Sequence, residues 1–258
     1  MPMIEPRSLV ITGASSGLGA ALARAYARDG VALALTGRDR PRLAAVGDAC
    51  RLQGAAVRIA DIDVRDRDRL AAWLRETDET RPIDLIIANA GVSAGTGGGE
   101  ENAEQAARIS AINVDGVLNT VLPLVPRLAA RRRGQIALMS SLASFRGFPG
   151  APAYCASKAF VRVWGEALRG EMAGYGVGVS VICPGFVESR MTAVNTFRMP
   201  LLMPAERAAA IIIRGLAHNR ARIAFPWRLY AAVRFLAALP PSFIDPLLAR
   251  LPRKTSIS

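Results

Sequence analysis

Residues 8–23 read SLVITGASSGLGAALA: a short apolar run, a glycine-rich turn and an alanine-rich helical pattern. Glycines allow a tight turn and let backbone N–H groups approach a phosphate, and the start of a helix adds a favourable dipole. The spacing is Gly-xxx-Gly-x-Gly rather than the GxGxxG of the common dinucleotide fingerprint. The stretch therefore predicts a strand-to-helix turn suited to a pyrophosphate, with a plain turn as the alternative.

The rest of the chain continues this alternation of short apolar runs and longer amphipathic stretches. It predicts a parallel sheet of about seven strands with helices on both faces, which is a doubly wound, Rossmann-type α/β fold. We expect one domain over residues 1–258, in which 186–258 form a substrate loop and hydrophobic C-terminal helices. The predicted strands are 8–12, 32–36, 57–60, 85–88, 135–140, 177–183 and 222–225, and the predicted helices are 17–29, 41–52, 66–79, 104–132 and 152–175.

The composition narrows the classes of function. The net charge is +12, from 33 Lys plus Arg against 21 Asp plus Glu, but the arginines are scattered, so we expect no nucleic-acid partner. Cys50, Cys155 and Cys183 form no CxxC pair, which predicts reduced thiols and a cytoplasmic protein. His218 is the only histidine, so neither a histidine-based triad nor a histidine-rich metal site is expected, and we predict no metal.

The end of the second predicted strand bears on the choice of nucleotide. An acidic residue at this point binds the adenosine ribose in NAD-binding folds, but the sequence has Gly37, followed by Arg38 and Asp39. A guanidinium makes charge-assisted hydrogen bonds to a 2′-phosphate, which favours NADP over NAD. The alternatives are that Arg38 is a solvated loop charge and that Asp39 serves a ribose.

Tyr154 and Lys158 are four residues apart in a helical pattern, so both lie on one helix face. A nearby ammonium favours the phenolate and lowers the pKa of a phenol, which otherwise titrates at about pH 10. The pair therefore predicts proton transfer to or from a substrate oxygen. Ser140 and Ser141 end the fifth predicted strand, where a hydroxyl would polarise a carbonyl. The alternatives are a buried tyrosine with a snorkelling lysine, and serines bonded to the local backbone.

Several motifs stand in the order and spacing of one known family. The segment TGASSGLG at 12–19 resembles its TGxxxGxG cofactor loop, Asn89-Ala90-Gly91 resembles its NAG motif, and Tyr154 with Lys158 fits its YxxxK. Over about residues 7 to 190 the chain resembles the short-chain dehydrogenase/reductase family, in its short, non-extended branch. The cofactor-binding residues that this resemblance implies are Gly13, Ser15, Ser16, Gly17, Leu18, Gly19, Arg38, Asp63, Val64, Asn89, Ala90, Gly91, Tyr154, Lys158, Pro184, Gly185, Val187 and Ser189.

The resemblance also implies a catalytic set of Asn113, Ser141, Tyr154 and Lys158. In that family Tyr154 would be the acid/base and Ser141 would hold the carbonyl oxygen. Lys158 would bind the nicotinamide ribose and lower the pKa of the tyrosine, and Asn113 would position a water in a proton relay. The implied reaction is hydride transfer between NADP(H), preferred over NAD(H), and a carbonyl or secondary alcohol, in a homodimer or homotetramer. Ser189 stands near the place of the threonine that commonly follows the family's Pro-Gly motif.

The last third of the chain changes in character. From Arg222 onward, apolar and aromatic residues alternate with arginines, and Asp245 is the only acidic residue. Such a segment can cover an apolar pocket, form a dimer contact, make peripheral contact with an anionic membrane or simply pack on the core. The covering role favours a bulky apolar carbonyl or alcohol substrate, and the loops at 91–99 and 185–204 are predicted lids.

Two other functions remain open at this point. One is a catalytically idle nucleotide-binding relative that acts as a sensor or as a membrane-surface interaction protein; the complete catalytic set argues against it. The other is a sugar-nucleotide epimerase or dehydratase, which resembles a longer branch with different glycine spacing and a larger substrate domain. A chain of 258 residues is too short for that branch.

Overall fold

The computed structural model describes residues 5–93, 101–193 and 198–248. Its centre is a parallel sheet of seven strands in the order β3-β2-β1-β4-β5-β6-β7. All seven predicted strands are confirmed, although the fifth begins and ends one residue earlier than expected. The strands are β1 (Ser8–Thr12), β2 (Ala32–Thr36), β3 (Ala56–Ala60), β4 (Leu85–Ala88), β5 (Gly134–Met139), β6 (Val177–Pro184) and β7 (Arg222–Phe225).

Helices cover both faces of this sheet, as predicted. They are α1 (Gly17–Tyr26), α2 (Arg40–Leu52), α3 (Arg67–Thr80), α4 (Ala103–Ser110), α5 (Gly116–Val121), α6 (Val125–Arg131), α7 (Pro152–Ala173), α8 (Arg190–Ala193), α9 (Ala205–Ala217), α10 (Trp227–Ala238) and α11 (Pro241–Leu248). The core on one face comes from α1, α2 and α9, and the core on the other comes from α3, α5, α6 and α7. The predicted C-terminal helices are thus present as α10 and α11.

The single helix predicted at 104–132 is interrupted. A π-helical turn at Ala111–Asp115 joins α4 to α5, and three residues separate α5 from α6. Pro123 lies in that gap because proline has no N–H to donate to a continuing helix. Among the described residues, the stretch Ala103–Arg131 is the one long and apolar enough to span a bilayer. Core helices share that composition, and here Val121 and Leu128 are fully buried.

The strand order fixes where a ligand can lie. From β1 the chain winds through β2 and β3 to one edge of the sheet, and from β4 through β7 to the other. The crevice outside the carboxyl ends of β1 and β4 is therefore the switch point of the sheet, where open α/β folds bind their ligands. The glycine turn that follows β1 and the NAG motif that follows β4 both open into this crevice.

Candidate active site

The glycine turn after β1 is shaped by close backbone contacts. Gly13 has a φ of +67°, and a Cβ there would lie 2.8 Å from the Cα of Ala90. At Gly19 a Cβ would lie only 2.3 Å from the carbonyl oxygen of Gly13. Gly13 thus borders the crevice, whereas Gly19 packs beneath the turn and does not line the cavity. A side chain at either position would push the turn out of shape.

Asn89 locks the end of β4 to this turn. Its Nδ2 donates to the carbonyl oxygens of Thr12 (3.0 Å) and Gly13 (3.2 Å). The hydroxyl of Thr12 in turn accepts from the backbone N–H groups of Asn89 and Ala90, at 3.2 Å each. Four hydrogen bonds therefore hold the two crevice-forming segments in one arrangement. Ser15, Ser16, Gly17 and Leu18 then line the cavity where α1 begins, in the position suited to a pyrophosphate.

The end of β2 is closed to an acidic side chain but open to a guanidinium. A Cβ on Gly37 would lie 3.1 Å from the Oγ of Ser15, so there is little room for a side chain there. The side chain of Arg38 is 51% exposed, and its Nη1 lies 3.9 Å from Oδ2 of Asp63. Asp39 serves as the N-cap of α2, since its Oδ1 accepts from the N–H of Arg42 at 3.2 Å.

Asp63 and Val64 follow β3 and border the same end of the cavity. Hydrogen bonds from Arg65 hold the pKa of the Asp63 carboxyl below its usual value, and the charge of Arg38 adds to this effect. The carbonyl oxygen of Val64 accepts from Nδ2 of Asn119 at 2.9 Å. No sequence motif marked Asn119, yet its hydrogen bond holds the segment of Asp63 and Val64 in place.

Tyr154 and Lys158 lie on successive turns of α7, and the Lys158 Nζ is 5.9 Å from the centre of the tyrosine ring. That Nζ donates to the carbonyl oxygen of Met139 at 2.9 Å. Burial lowers the pKa of Lys158 to about 8. Burial also raises the pKa of Tyr154, and a hydrogen bond with Ser141 offsets only part of this rise.

The predicted lowering of the tyrosine pKa is therefore wrong for this arrangement of the side chains. Burial removes the phenolate from water, and the free energy that this costs exceeds the stabilisation that the neighbouring groups provide. The Nζ of Lys158 lies 5.9 Å from the centre of the tyrosine ring and donates to the carbonyl oxygen of Met139, so it does not offset this cost. At neutral pH the phenol of Tyr154 consequently holds its proton.

The two serines at the end of β5 have separate roles. The Ser140 hydroxyl donates to the carbonyl oxygen of Lys158 at 2.7 Å, which joins β5 to α7. The Ser141 hydroxyl accepts from the N–H of Ala143 at 3.1 Å and is hydrogen-bonded to Tyr154. Of the two, Ser141 is thus the one beside the phenol, as the resemblance implied.

Asn113 is fully buried in the π-helical turn and does not line the cavity. Its amide makes a reciprocal pair with the backbone of Val92, at 2.8 and 2.9 Å, and its Nδ2 also donates to Oγ of Ser157 at 3.0 Å. Ser157 donates to the carbonyl oxygen of Tyr154 at 2.8 Å. Sequence reasoning missed Ser157, although its place one residue before Lys158 could have drawn attention to it.

Gly91 lies where Asn113 and Lys158 come together. A Cβ on Gly91 would be 3.2 Å from both Oδ1 of Asn113 and Nζ of Lys158. The structure thus brings three of the four predicted catalytic side chains around α7, with the fourth, Asn113, behind them. Ser141, Tyr154 and Lys158 line the cavity directly.

The segment after β6 forms the opposite wall. A Cβ on Gly185 would lie 3.0 Å from Cδ2 of Leu229, so this glycine allows α10 to approach. Ser189 shares a hydroxyl–hydroxyl hydrogen bond of 3.2 Å with Thr192, and its N–H donates to the same Thr192 oxygen at 2.9 Å. Thr192 also lines the cavity, and sequence reasoning had not selected it. Pro184, Gly185, Val187 and Ser189, which were predicted to bind the cofactor, all line the cavity.

The resulting cavity has a volume of about 1130 Å³. One end lies beside Ser15 and Arg38, and the other end is closed by α10. The bordering residues include Asp39 and Asp63 as the only acidic ones among the described residues, against four arginines and Lys158. The cavity is therefore electropositive, as an anionic cofactor requires. The four arginines are Arg38, Arg108, Arg190 and Arg198.

The chain is similar to known proteins over most of its length. The family described as short chain dehydrogenase matches residues 7–198. An uncharacterised oxidoreductase of Myxococcus xanthus (strain DK1622) is 39% identical over 252 residues, which cover 97% of this chain and the whole of that protein.

Two solved structures share the fold over most of their length. A short-chain dehydrogenase from Sphingobium yanoikuyae in complex with NADPH has a TM-score of 0.80 at 25% identity, covering 97% of this chain and 98% of that one. A short-chain dehydrogenase from Mycobacterium paratuberculosis bound to NAD has a TM-score of 0.77 at 24% identity, covering 87% and 98%. The two neighbours thus carry different nicotinamide cofactors.

Proposed function

The chain belongs to the short-chain dehydrogenase/reductase family and is therefore an NAD(P)-dependent oxidoreductase, and we propose that it transfers a hydride between NADP(H) and a carbonyl or secondary alcohol of a hydrophobic substrate. The observation that carries this proposal is the hydrogen-bonded pair of Ser141 and Tyr154 at the mouth of a glycine-lined crevice. Asn113 and Lys158 complete the set behind them. The proposal treats residues 1–258 as one domain.

The residues of the crevice fit a bound dinucleotide. The turn from Gly13 to Gly17 and the start of α1 would hold the pyrophosphate, and the segment of Asp63 and Val64 would hold the adenine. Asn89, Ala90, Gly91 and the segment 184–189 would face the ribose and carboxamide at the other end. When bound, the nicotinamide supplies or accepts the hydride.

Tyr154 supplies the proton in the proposed reduction. Because burial raises its pKa, the phenol is protonated at neutral pH and can donate from its Oη to the substrate oxygen. The Ser141 hydroxyl, already bonded to Tyr154, would share that oxygen and stabilise charge that develops on it. Lys158 lies behind the phenol, where its Nζ can receive or relay the replacement proton with a pKa of about 8.

The preference for NADP rests on the end of β2. Gly37 leaves little room for the acidic side chain that binds ribose hydroxyls, and the exposed guanidinium of Arg38 borders the cavity beside it. A guanidinium forms charge-assisted hydrogen bonds with a phosphate. Both features favour a 2′-phosphate over a free hydroxyl.

The apolar substrate is proposed from the apolar part of the cavity wall. Leu229, Val233 and Leu236 of α10 line the cavity there, together with Phe148 and Phe186. A steroid, a fatty acyl chain or a comparable lipid-like ketone has the apolar surface to fill such a wall. We place the protein in the cytoplasm as a homodimer or homotetramer, with peripheral membrane contact through the C-terminal region as part of the same proposal.

A screen of NADPH oxidation tests the function. The panel contains steroid, acyl and aromatic ketones, and the variants are Tyr154→Phe and, as a matched control, the half-exposed Tyr175→Phe. We expect Tyr154→Phe to reduce kcat by about 100- to 10 000-fold with NADPH binding retained, because only the transferable proton is lost. The control should retain full turnover.

Two results would contradict the proposal. Full turnover in Tyr154→Phe would remove the acid/base role. NADPH binding without turnover on any ketone or alcohol of the panel would instead favour the second reading, a catalytically idle relative that senses the nucleotide.

A further inference from the structure

Helix α10 has two apolar sides. Successive helical residues are about 100° apart, so Leu229, Val233 and Leu236 fall within one sector, which lines the cavity. Trp227 and Phe235 fall on the opposite side, where 70% and 66% of their surfaces are exposed. A helix that only covers a pocket needs an apolar surface on one side, so the outer aromatic residues serve something else.

Arginines accompany these outward aromatic residues. Arg228 and Arg234 are exposed residues of the same helix; the guanidinium of Arg228 lies 5.5 Å from the centre of the Trp227 ring, and that of Arg234 lies 5.6 Å from the centre of the Phe145 ring. We call Trp227, Arg228, Arg234 and Phe235 of α10 the C-terminal face.

The part of the sequence that holds this C-terminal face carries little negative charge. Asp245 is the only acidic residue from position 227 to the end of the sequence. Its carboxylate is already paired with Arg146 at 2.8 Å. The C-terminal face therefore combines exposed aromatic rings with arginines, on a protein whose net charge is +12.

We propose that the C-terminal face docks on an anionic phospholipid bilayer. This proposal rests on the proposed function, because docking concerns how a hydrophobic substrate reaches the cavity. Aromatic rings favour the depth of the lipid headgroups, and arginines are attracted to anionic lipids. A second copy of the chain is a poorer occupant. Two-fold pairing of this face would bring arginines against arginines.

Docking of this kind would set the cavity directly behind the bilayer surface. The inner side of the same helix forms the cavity wall, so a ketone dissolved in lipid has only α10 to pass. Membrane contact and substrate entry would then depend on one element.

Tryptophan fluorescence tests the docking. Trp73 is buried and Trp164 is half-buried, so Trp227 is the exposed tryptophan of the described residues. Addition of phosphatidylglycerol-containing vesicles should shift its emission to shorter wavelength, and vesicles of phosphatidylcholine alone should do so far less. Trp227→Phe should lose the shift and still float with anionic vesicles.

Vesicle flotation with matched variants separates the two contributions. Arg228→Gln should weaken binding by about fivefold, whereas Arg75→Gln, an exposed arginine on α3, should change it little. Phe235→Ser should weaken binding by roughly tenfold. Its control is Leu52→Ser, because Leu52 is an apolar residue at the end of α2 that is 90% exposed.

The outcomes are distinct from those of the enzyme test. Tyr154→Phe should bind vesicles as the unaltered protein does, so vesicle binding can fail or succeed whatever happens to turnover. Equal binding to neutral and anionic vesicles, or none to either, overturns the proposal. Loss of an oligomer in Phe235→Ser, without vesicle binding in the unaltered protein, would assign the face to a second copy and overturn it as well.

Discussion

The two walls of the cleft are held by different kinds of contact. On the cofactor side, Asn89, Asn113 and Lys158 each donate to a backbone carbonyl oxygen at about 3 Å. On the C-terminal side, α10 rests mainly on apolar contacts and on the tilted ring pair of Phe145 and Tyr230, whose centres are 5.4 Å apart, and Nη1 of Arg222 donates to the Tyr230 hydroxyl at 3.1 Å. Hydrogen bonds are directional and fix one geometry, whereas apolar packing tolerates exchange of similar side chains. The positions of the residues that would carry out the reaction are therefore fixed more firmly than the shape of the wall that would contact the substrate.

The largest effect is expected where the rigid wall is closest packed. In Gly19→Ala the new Cβ would lie 2.3 Å from the Gly13 carbonyl oxygen and 2.6 Å from Nδ2 of Asn89. We expect a loss of about 3 kcal/mol or more in the free energy of unfolding, together with loss of NADPH binding. Denaturant titration and NADPH fluorescence measure the two.

Gly170→Ala is the matched control for this variant. Gly170 lies within α7 with nothing within 4 Å of its would-be Cβ. Alanine there should raise stability by about 0.5–1 kcal/mol, because glycine is the poorer helix former. If Gly19→Ala were as stable as Gly170→Ala, the close packing beneath the turn would not describe the protein.

A smaller effect is expected where the rigid wall meets solvent. Arg38→Ala should weaken binding of NADPH by about tenfold and leave NADH nearly unchanged, because one charge-assisted contact to the 2′-phosphate is lost. Arg75→Ala, on α3, removes an exposed arginine that does not line the cavity and should affect neither cofactor. The measurement is the dissociation constant of each variant for NADPH and for NADH. Equal weakening of NADPH and NADH binding in Arg38→Ala would refute the preference for NADP.

The smallest effect is expected in the apolar wall. Leu236→Ala removes part of the surface that α10 presents to the cavity. We expect kcat/KM for a bulky ketone to fall about fivefold, while the dissociation constant of NADPH stays the same. Leu52→Ala serves as the control. A change in NADPH binding as large as the change in kcat/KM would break the distinction between the two walls.

The sequence predicted the cofactor side well because its signals are local. A glycine turn between a strand and a helix has one shape, and all seven strands follow from short apolar runs. The roles of Asn119 and Ser157 could not be found in this way, since each depends on contact with a segment that folding brings near. The lack of room for a side chain at Gly19, beneath the turn, follows only from the interatomic distances in the folded protein.

The pKa of Tyr154 shows a second limit. Spacing places the lysine on the same helix face, but the pKa depends on burial and on where the lysine Nζ is directed. Neither quantity is local. The C-terminal segment is a third case: the sequence left four readings open, and only the packing shows that one side of α10 lines the cavity while the other is exposed.

The contact between Gly37 and Ser15 links two positions in any change of coenzyme. Because a Cβ at Gly37 would meet the Ser15 hydroxyl at 3.1 Å, a ribose-binding carboxylate there requires its neighbour to shift. Ser15 belongs to the turn that every dinucleotide must use. A switch toward NAD is thus expected to come in paired substitutions, and an exchange at one of the two positions alone would cost affinity for both coenzymes.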